Sequence, residues 1–332
     1  MANELESVDP AGGSGVLDKI KEVIGAVNLP KVIAGPAGEA ISRLIAGGAD
    51  IPAAWLEQKA KAIRNKTEGQ ALVSKTLAGA AAELVKNDPA LVQRAADAFI
   101  AKEIRHQHNR ETIALKAIEH LKETPEAQTS TLDDDWLNMY ARHAQEASSD
   151  RMQDLWAKVL AGQLRTANSF SLQTLRFISE LDEPTASLFE KWSARVMNGQ
   201  LIPFPPREGL EFGELLRLEE AGLVSGTAGN LSNRIADEHL VTIKEDNLAF
   251  LQFRPVHLVL YARKPFSANI PCLVLTRVGR ELYPITKGQT DVEVLKFLVQ
   301  QLPKHNVLKL LALAIPGQAQ SMELWKETSA QQ

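Results

Sequence analysis

Residues 133–192 constrain the fold of this chain more than any other stretch, because apolar side chains recur there at helical spacing between well-marked breaks. Asp133, Asp134 and Asp135 supply an N-cap and negative charge at the positive end of a helix dipole. The helix that follows, from about Trp136 to Ala147, sets Leu137, Tyr140, Ala141 and Ala144 on one face. Ser148 and Ser149 break the run, and one of them caps the next helix. There Met152, Leu155, Trp156, Val159, Leu160 and Gln163 make a wide, bulky stripe that predicts deep burial. Gly162 is a candidate C-terminal glycine of that helix. Ser169 or Ser171 caps a third helix with Leu172, Leu175, Phe177 and Ile178. Asp182-Glu183-Pro184 then stops one helix and starts another, with Leu188, Phe189 and Trp192 facing inward.

The expected core of this module is Trp136, Tyr140, Met152, Leu155, Trp156, Phe177, Phe189 and Trp192. Aromatic and methionine side chains at helical spacing are read as packing, not as a ligand pocket. The acidic run 133–135 is read as a cap, since no His or Cys stands at ligand spacing to make it a metal site. The module is therefore a packed helical body without a catalytic constellation.

The segment from LWAKVLAGQL through NSFSLQTLRFISELDEPTASLFEKW resembles a bacterial domain of unknown function. It is more distantly similar to the abortive-infection alpha proteins. The corresponding motifs occur here in order: Gly35-Pro36-Ala37-Gly38-Glu39, Leu155-Trp156-Ala157, Leu175 to Leu181, Leu215 to Val224, and LTRVGRELY at 275–283. The chain departs from that pattern in its longer C-terminal tail. These motifs are structural, and what the resemblance implies is a role in bacterial defence against phage.

With 332 residues, 45% of them apolar, the chain is long enough for two or three domains with real cores. A net charge of −4 argues against a protein that coats nucleic acid. One cysteine, Cys272, leaves no disulfide within the chain and fits a reducing cytoplasm. The acidic start MANELESVDP is unlike a secretory leader, and no apolar run is long enough to span a bilayer. The expected location is cytoplasmic, with a peripheral membrane contact through 16–54 as the variant.

The expected organisation begins with a disordered N-terminus at 1–15. A helical N-terminal region, 16–122, follows and ends in a long helix over 89–122. Asn87-Asp88-Pro89 marks the start of that helix, which at the standard rise is ~50 Å long. Helices of that length often pair with copies of themselves or with a partner. Candidate interaction residues are the basic cluster Lys59, Lys61, Arg64 and Lys66, and the stripe residues Phe99, Ile113 and Ile118. His106 and His108 stand two apart, make a poor metal pair on a helix, and are read as exposed. Segment 59–122 has 12 Lys+Arg against 7 Asp+Glu, whereas 123–160 has 3 against 8. That asymmetry suits docking within the chain or between subunits. The small-residue segment LPKVIAGPAGEAISRLIAGGADIP is read as close helix packing, with membrane insertion as the alternative.

A linker at 123–132 leads to the central module, 133–198, and the proline-rich 199–209 connects it to a C-terminal α+β domain over 210–316. Residues 210–221 form a helix ending at Gly222-Leu223-Val224, an ending like that before the wing of a winged-helix domain. Strands are expected at His239–Lys244, Leu248–Phe253, His257–Ala262 and Ile270–Leu275. Helices over 276–287 and 290–302, a strand at Val307–Ile315 and a loosely held tail from Gly317 complete the chain. A DNA-reading helix needs positive charge. Residues 210–221 set Arg217 alone against Glu211, Glu214, Glu219 and Glu220, so an interaction module is the favoured reading.

No Walker loop, dinucleotide glycine fingerprint, HExxH or GxSxG occurs, and no cofactor is implied. Cys272 lies in an apolar run with no neighbouring base and is read as a buried thiol. The fold class expected is α+β: mainly helical N-terminal and central regions with a winged-helix-like C-terminal domain. The expected function is that of a non-enzymatic interaction or scaffold protein, a homo-oligomer or the partner of another bacterial protein. A DNA-binding regulator and a membrane-active effector using 16–54 are the alternatives.

Overall fold

A computed structural model describes residues 36–45, 89–122, 131–290, 292–314 and 321–327. The protein is α+β, with helices concentrated in the N-terminal and central parts and antiparallel sheets in the C-terminal part. It forms two compact units, Met1–Leu175 and Arg176–Gln332, so the division falls within the stretch read as one central module.

In the first unit the described helices are α1 (Pro36–Ile45), α2 (Pro89–Lys122), α3 (Asp134–Ala144) and α4 (Asp150–Arg165). Helix α5 (Leu172–Glu180) carries the chain across the division. The capping signals act as the sequence predicts. Asp133 accepts from the Trp136 amide at 2.9 Å, Ser149 from Met152 at 3.3 Å, and Ser171 from Thr174 at 3.3 Å. Gly162 does not end α4, which runs on to Arg165. Instead a Cβ at Gly162 would stand 2.8 Å from the Phe170 ring, so the missing side chain makes room for that ring.

The core of this unit is an aromatic stack. Trp136 lies parallel to Tyr140 at 5.1 Å, and Tyr140 meets Trp156 edge-on at 5.3 Å. Both polar tips are satisfied inside it: Tyr140 Oη donates to the Trp156 carbonyl at 2.7 Å and Trp136 Nε1 to the Phe170 carbonyl at 2.7 Å. Burial holds the Tyr140 phenol well above its ordinary pKa. Met152 and Leu155, expected at full depth, are only half-buried; Gln153 and Gln163 take the inner positions because each answers a buried backbone group. Gln153 Nε2 donates to the Ala147 carbonyl at 3.1 Å, and Gln163 Oε1 accepts from the Phe170 amide at 2.9 Å.

The second unit opens with α6 (Glu183–Ser193), capped by Asp182, whose carboxylate accepts from the Thr185 amide at 2.8 Å. Phe189 and Trp192 are buried there, and Phe177 of α5 is half-buried. Strand β1 (Leu201–Pro203) follows, inside the stretch read as a connector. Helix α7 (Gly209–Glu220) then leads to β2 (Val224–Ser225) and β3 (Ser232–Ala236). Strands β4 (Val241–Ile243), β5 (Asp246–Gln252), β6 (Val256–Ala262) and β7 (Ser267–Leu275) come next. Helices α8 (Arg277–Leu282) and α9 (Val292–Gln301) precede β8 (Val307–Ala314) and β9 (Ser321–Lys326).

All strand pairs are antiparallel. β7 is the spine of one sheet, bonded to β1 on one side and to β2 and β3 on the other. The second sheet runs β4-β5-β6-β8-β9. Apolar residues of both sheets and of α9 share one core, including Ile235, Leu258, Leu260, Ile270, Leu298 and Leu310. Cys272 of β7 sits in it, and burial pushes its thiol pKa up.

Three expectations change here. The tail is not uniformly loose, because Ser321–Lys326 pairs with β8 as an edge strand. Residues 232–236, unassigned from the sequence, pair along β7 from Pro271 to Ser267. The helix expected over 276–287 ends at Leu282, and Pro284 holds the next residues in a 3-10 turn to Ile285.

Candidate interaction surface

Helix α2 is 34 residues long and has two unlike halves. From His106 to Lys122 it packs along α4 and touches α1 and α3, with Ile113, Ala114, Ala117, Ile118 and Leu121 buried. From Ala90 to Arg105, Val92 aside, every residue is exposed. Leu91, Phe99, Ile100 and Ile104 show 54%, 64%, 55% and 65% of their surface. Helical periodicity puts Phe99, His106 and Ile113 seven apart on one face. His106 and Ile113 are covered by the chain itself; Phe99 is not.

A polar seam fixes where the covered half begins. Contrary to the expectation that it is exposed, His106 is only 2% accessible. Its Nε2 lies 3.2 Å from Glu146 Oε1, at an angle that makes this an ion contact and not a hydrogen bond. Glu146 Oε2 lies 3.5 Å from Arg105. Asn109 Nδ2 donates to the Gln145 carbonyl at 2.8 Å and its Oδ1 accepts from Gln153 at 3.1 Å. Arg110 spans Gln145 Oε1 and Gln107 Oε1, each at 2.7 Å. The turn between α3 and α4 is thus bonded to α2 at 106–110, which fixes the register and direction of the helix.

The basic-then-acidic asymmetry of the sequence is used within the chain. Lys116 meets Asp150 at 2.5 Å, His120 meets Asp154 at 2.8 Å, and Arg43 of α1 meets Asp134 at 2.5 Å. Burial of Asp154 acts to raise its pKa, but bonds from Lys158 and His120 outweigh it and hold the carboxyl below its ordinary value. Glu214 in the second unit behaves alike: burial is opposed by Lys191 at 2.6 Å and Trp192 Nε1 at 2.9 Å, and the net shift is downward. Carboxylates with depressed folded-state pKa add stability above their unfolded values and lose it as pH falls through the folded ones. Unfolding free energy is therefore expected to drop as pH falls below about 4. Asp154→Asn should make that fall shallower in urea titrations at pH 3, 4 and 6, and an unchanged slope would refute its part.

Helix α7 does not offer the charge a DNA reader needs. Glu211 is paired with Arg195 at 2.8 Å, Glu214 with Lys191, and Glu219 Oε1 accepts from the Gly226 amide at 2.7 Å. These carboxylates tie α7 to α6 and to the loop after β2, a structural use that sequence reading credited only with repelling phosphate.

Of the residues singled out from the sequence, Phe99 alone of the stripe is open, while Ile113 and Ile118 belong to the internal core. The basic cluster Lys59, Lys61, Arg64 and Lys66 lies outside the described residues. Of segment 16–54, the described part 36–45 turns Ala37, Ala40, Ile41 and Leu44 inward. No helix among the described residues is long and apolar enough to cross a membrane, and no cluster of His, Cys, Asp or Glu among them is arranged to hold a metal. The signal for the open surface was present in the sequence as an apolar stripe running the length of α2. Spacing alone does not say which part of such a stripe is covered.

Residues 93–201 match a family model described as Protein of unknown function (DUF2806), which covers most of α2, the helices from α3 to α6 and β1. The likeness to an uncharacterised domain family is thus shown, while no similarity to the abortive-infection alpha proteins is. No curated protein and no solved structure matches the chain.

Proposed function

We propose that this chain is a non-enzymatic interaction protein that docks another protein on the first half of α2. One observation carries the reading: a helix anchored by buried polar bonds at 106–110 presents Leu91, Phe99, Ile100 and Ile104 to solvent over its preceding four to five turns. Large apolar side chains grouped on an exposed surface mark interaction sites in soluble proteins. The anchoring lowers the ordering cost of docking, because the face is already set in direction. Charge on the open half is close to balanced, with Arg94, Lys102 and Arg105 against Asp97 and Glu103. That balance suits a protein partner better than a polyanion.

A photo-crosslinking amino acid placed at Phe99 in the full chain, in cells, tests the proposal. The expected result is a discrete protein adduct from position 99 and none from the exposed control position Glu238 of the second unit. Equal or absent labelling at the two positions would end the docking reading. The anti-phage role implied by the resemblance is proposed on the same surface. Phage should plate better on cells carrying Phe99→Asp than on wild type, and equal plating removes that role.

A further inference from the structure

We infer that the occupant of this surface is a second copy of the chain, its α2 running antiparallel across a two-fold axis near residues 97–98. The inference rests on the docking reading above and names the partner. Its first support is steric. From His106 onward the apolar sector of α2 is filled by the chain's own α3 and α4, so a parallel copy laid on the same sector brings two such bodies into one place. An antiparallel copy sends them to opposite ends, and only the two open halves meet. The second support is self-complementarity. Full overlap of residues 90–105 with their counterparts sets Phe99 at the axial level of the other copy's Ala96. It also sets Ile100 level with Ala95 and Leu91 level with Ile104. Bulky side chains in the later turns thus meet small ones in the earlier turns, the alternation by which helix surfaces interdigitate. The third is charge: three basic and two acidic side chains per copy leave little net repulsion between two identical helices.

The overlap spans only ~24 Å of helix at the standard rise, shorter than the run over which a long coiled coil is held together. A reversible dimer is therefore expected, forming as concentration rises through the micromolar range. Size-exclusion chromatography with light scattering on the full chain, from 1 to 200 µM, reads it. Wild type should pass from monomer to dimer, and Phe99→Asp and Ile104→Asp should each weaken association at least tenfold with unchanged circular dichroism. Spin labels at His108→Cys in a Cys272→Ala background report direction. Antiparallel pairing about 97–98 separates the two labels by ~30 Å along the axis, whereas parallel pairing leaves them at the same level. A dimer that ignores both aspartates, or one with closely spaced labels, overturns the inference. A chain that stays monomeric at 200 µM overturns it as well. If position 99 still forms adducts with a different protein in that case, the docking reading survives without the second copy.

Discussion

Replacing Trp156 by alanine is expected to cost the first unit about 3–5 kcal/mol, the range for deleting a large buried aromatic side chain. Trp156 is 1% accessible and stands on the inner face of α4. Its ring is the edge partner of Tyr140, with His143 nearly parallel to it at 6.3 Å. Its carbonyl is the acceptor for the Tyr140 hydroxyl. The substitution keeps that carbonyl but removes the ring that positions Tyr140, so the loss is packing plus a loosened buried hydrogen bond. The stack is anchored at its far end by the bond from Trp136 to the Phe170 carbonyl, which limits how far the helices can close on the cavity. Sites that collapse poorly lie toward the upper end of the range. Urea unfolding followed by near-ultraviolet dichroism reads the stack directly, with far-ultraviolet dichroism beside it. A loss below about 1 kcal/mol would mean that α3 and α4 are held together by something other than this cluster.

The same cluster shows what was legible in the sequence. Tyr140, Trp136 and Trp156 were readable as core because their spacing fits one helical face and little else. The caps Asp133, Ser149, Ser171 and Asp182 were readable because short side chains with an acceptor oxygen serve the helix ends that follow them. Burial of Gln153 and of His106 was not readable. Their polarity argues for solvent, and only the chain's return at 145–149 supplies the partners that make an inside position favourable. Strand β1 was missed although its signal stood in Met197-Asn198-Gly199-Gln200-Leu201. Asn198 and Gly199 adopt φ of 52° and 70°, and Met197 and Leu201 bond to each other across the turn. The prolines after it drew the reading toward a connector. β3 and β9 failed for a related reason: each is specified by a neighbour distant in sequence, β7 or β8, and carries little apolar alternation of its own.

The open half of α2 marks a different limit. A stripe that is uniform along a helix tells that a face must be covered, not what covers each turn. Ile113 and Ile118 were candidates for contact with a partner on the same reasoning as Phe99. The seam at 106–110 separates them, and it consists of polar residues that interrupt the stripe. Polar side chains at inward positions of a long amphipathic helix are thus informative about where internal packing begins, provided the groups that satisfy them can be found elsewhere in the chain.

In the second unit, Gly288→Ala is expected to destabilise by about 2–4 kcal/mol, from overpacking together with a lost buried hydrogen bond. A Cβ at Gly288 would stand 1.9 Å from Ser193 Oγ, 2.4 Å from the Glu190 carbonyl and 3.1 Å from the Ala194 amide nitrogen. None of these yields easily. Two are backbone at the end of α6, and the Ser193 hydroxyl is held by its bond to the Glu190 carbonyl at 2.7 Å. Relief requires the 286–290 segment to lift from α6. Lifting breaks the Thr290 hydroxyl bond to the Ala194 carbonyl at 2.5 Å and strains the Thr290 amide bond to Arg254 at 2.6 Å. Arg254 also donates to the Thr286 and Tyr283 carbonyls, so the displacement is resisted from the sheet side as well. Gly213 provides the control, since it lies inside α7 with nothing within 4 Å of the place a methyl group would take. Gly213→Ala should be neutral or stabilise by up to about 1 kcal/mol, because alanine loses less backbone freedom in a helix. Measured side by side in urea, the two substitutions should therefore move stability in different directions. Similar small effects would show that α6 and the 286–290 segment are not packed as closely as these distances require.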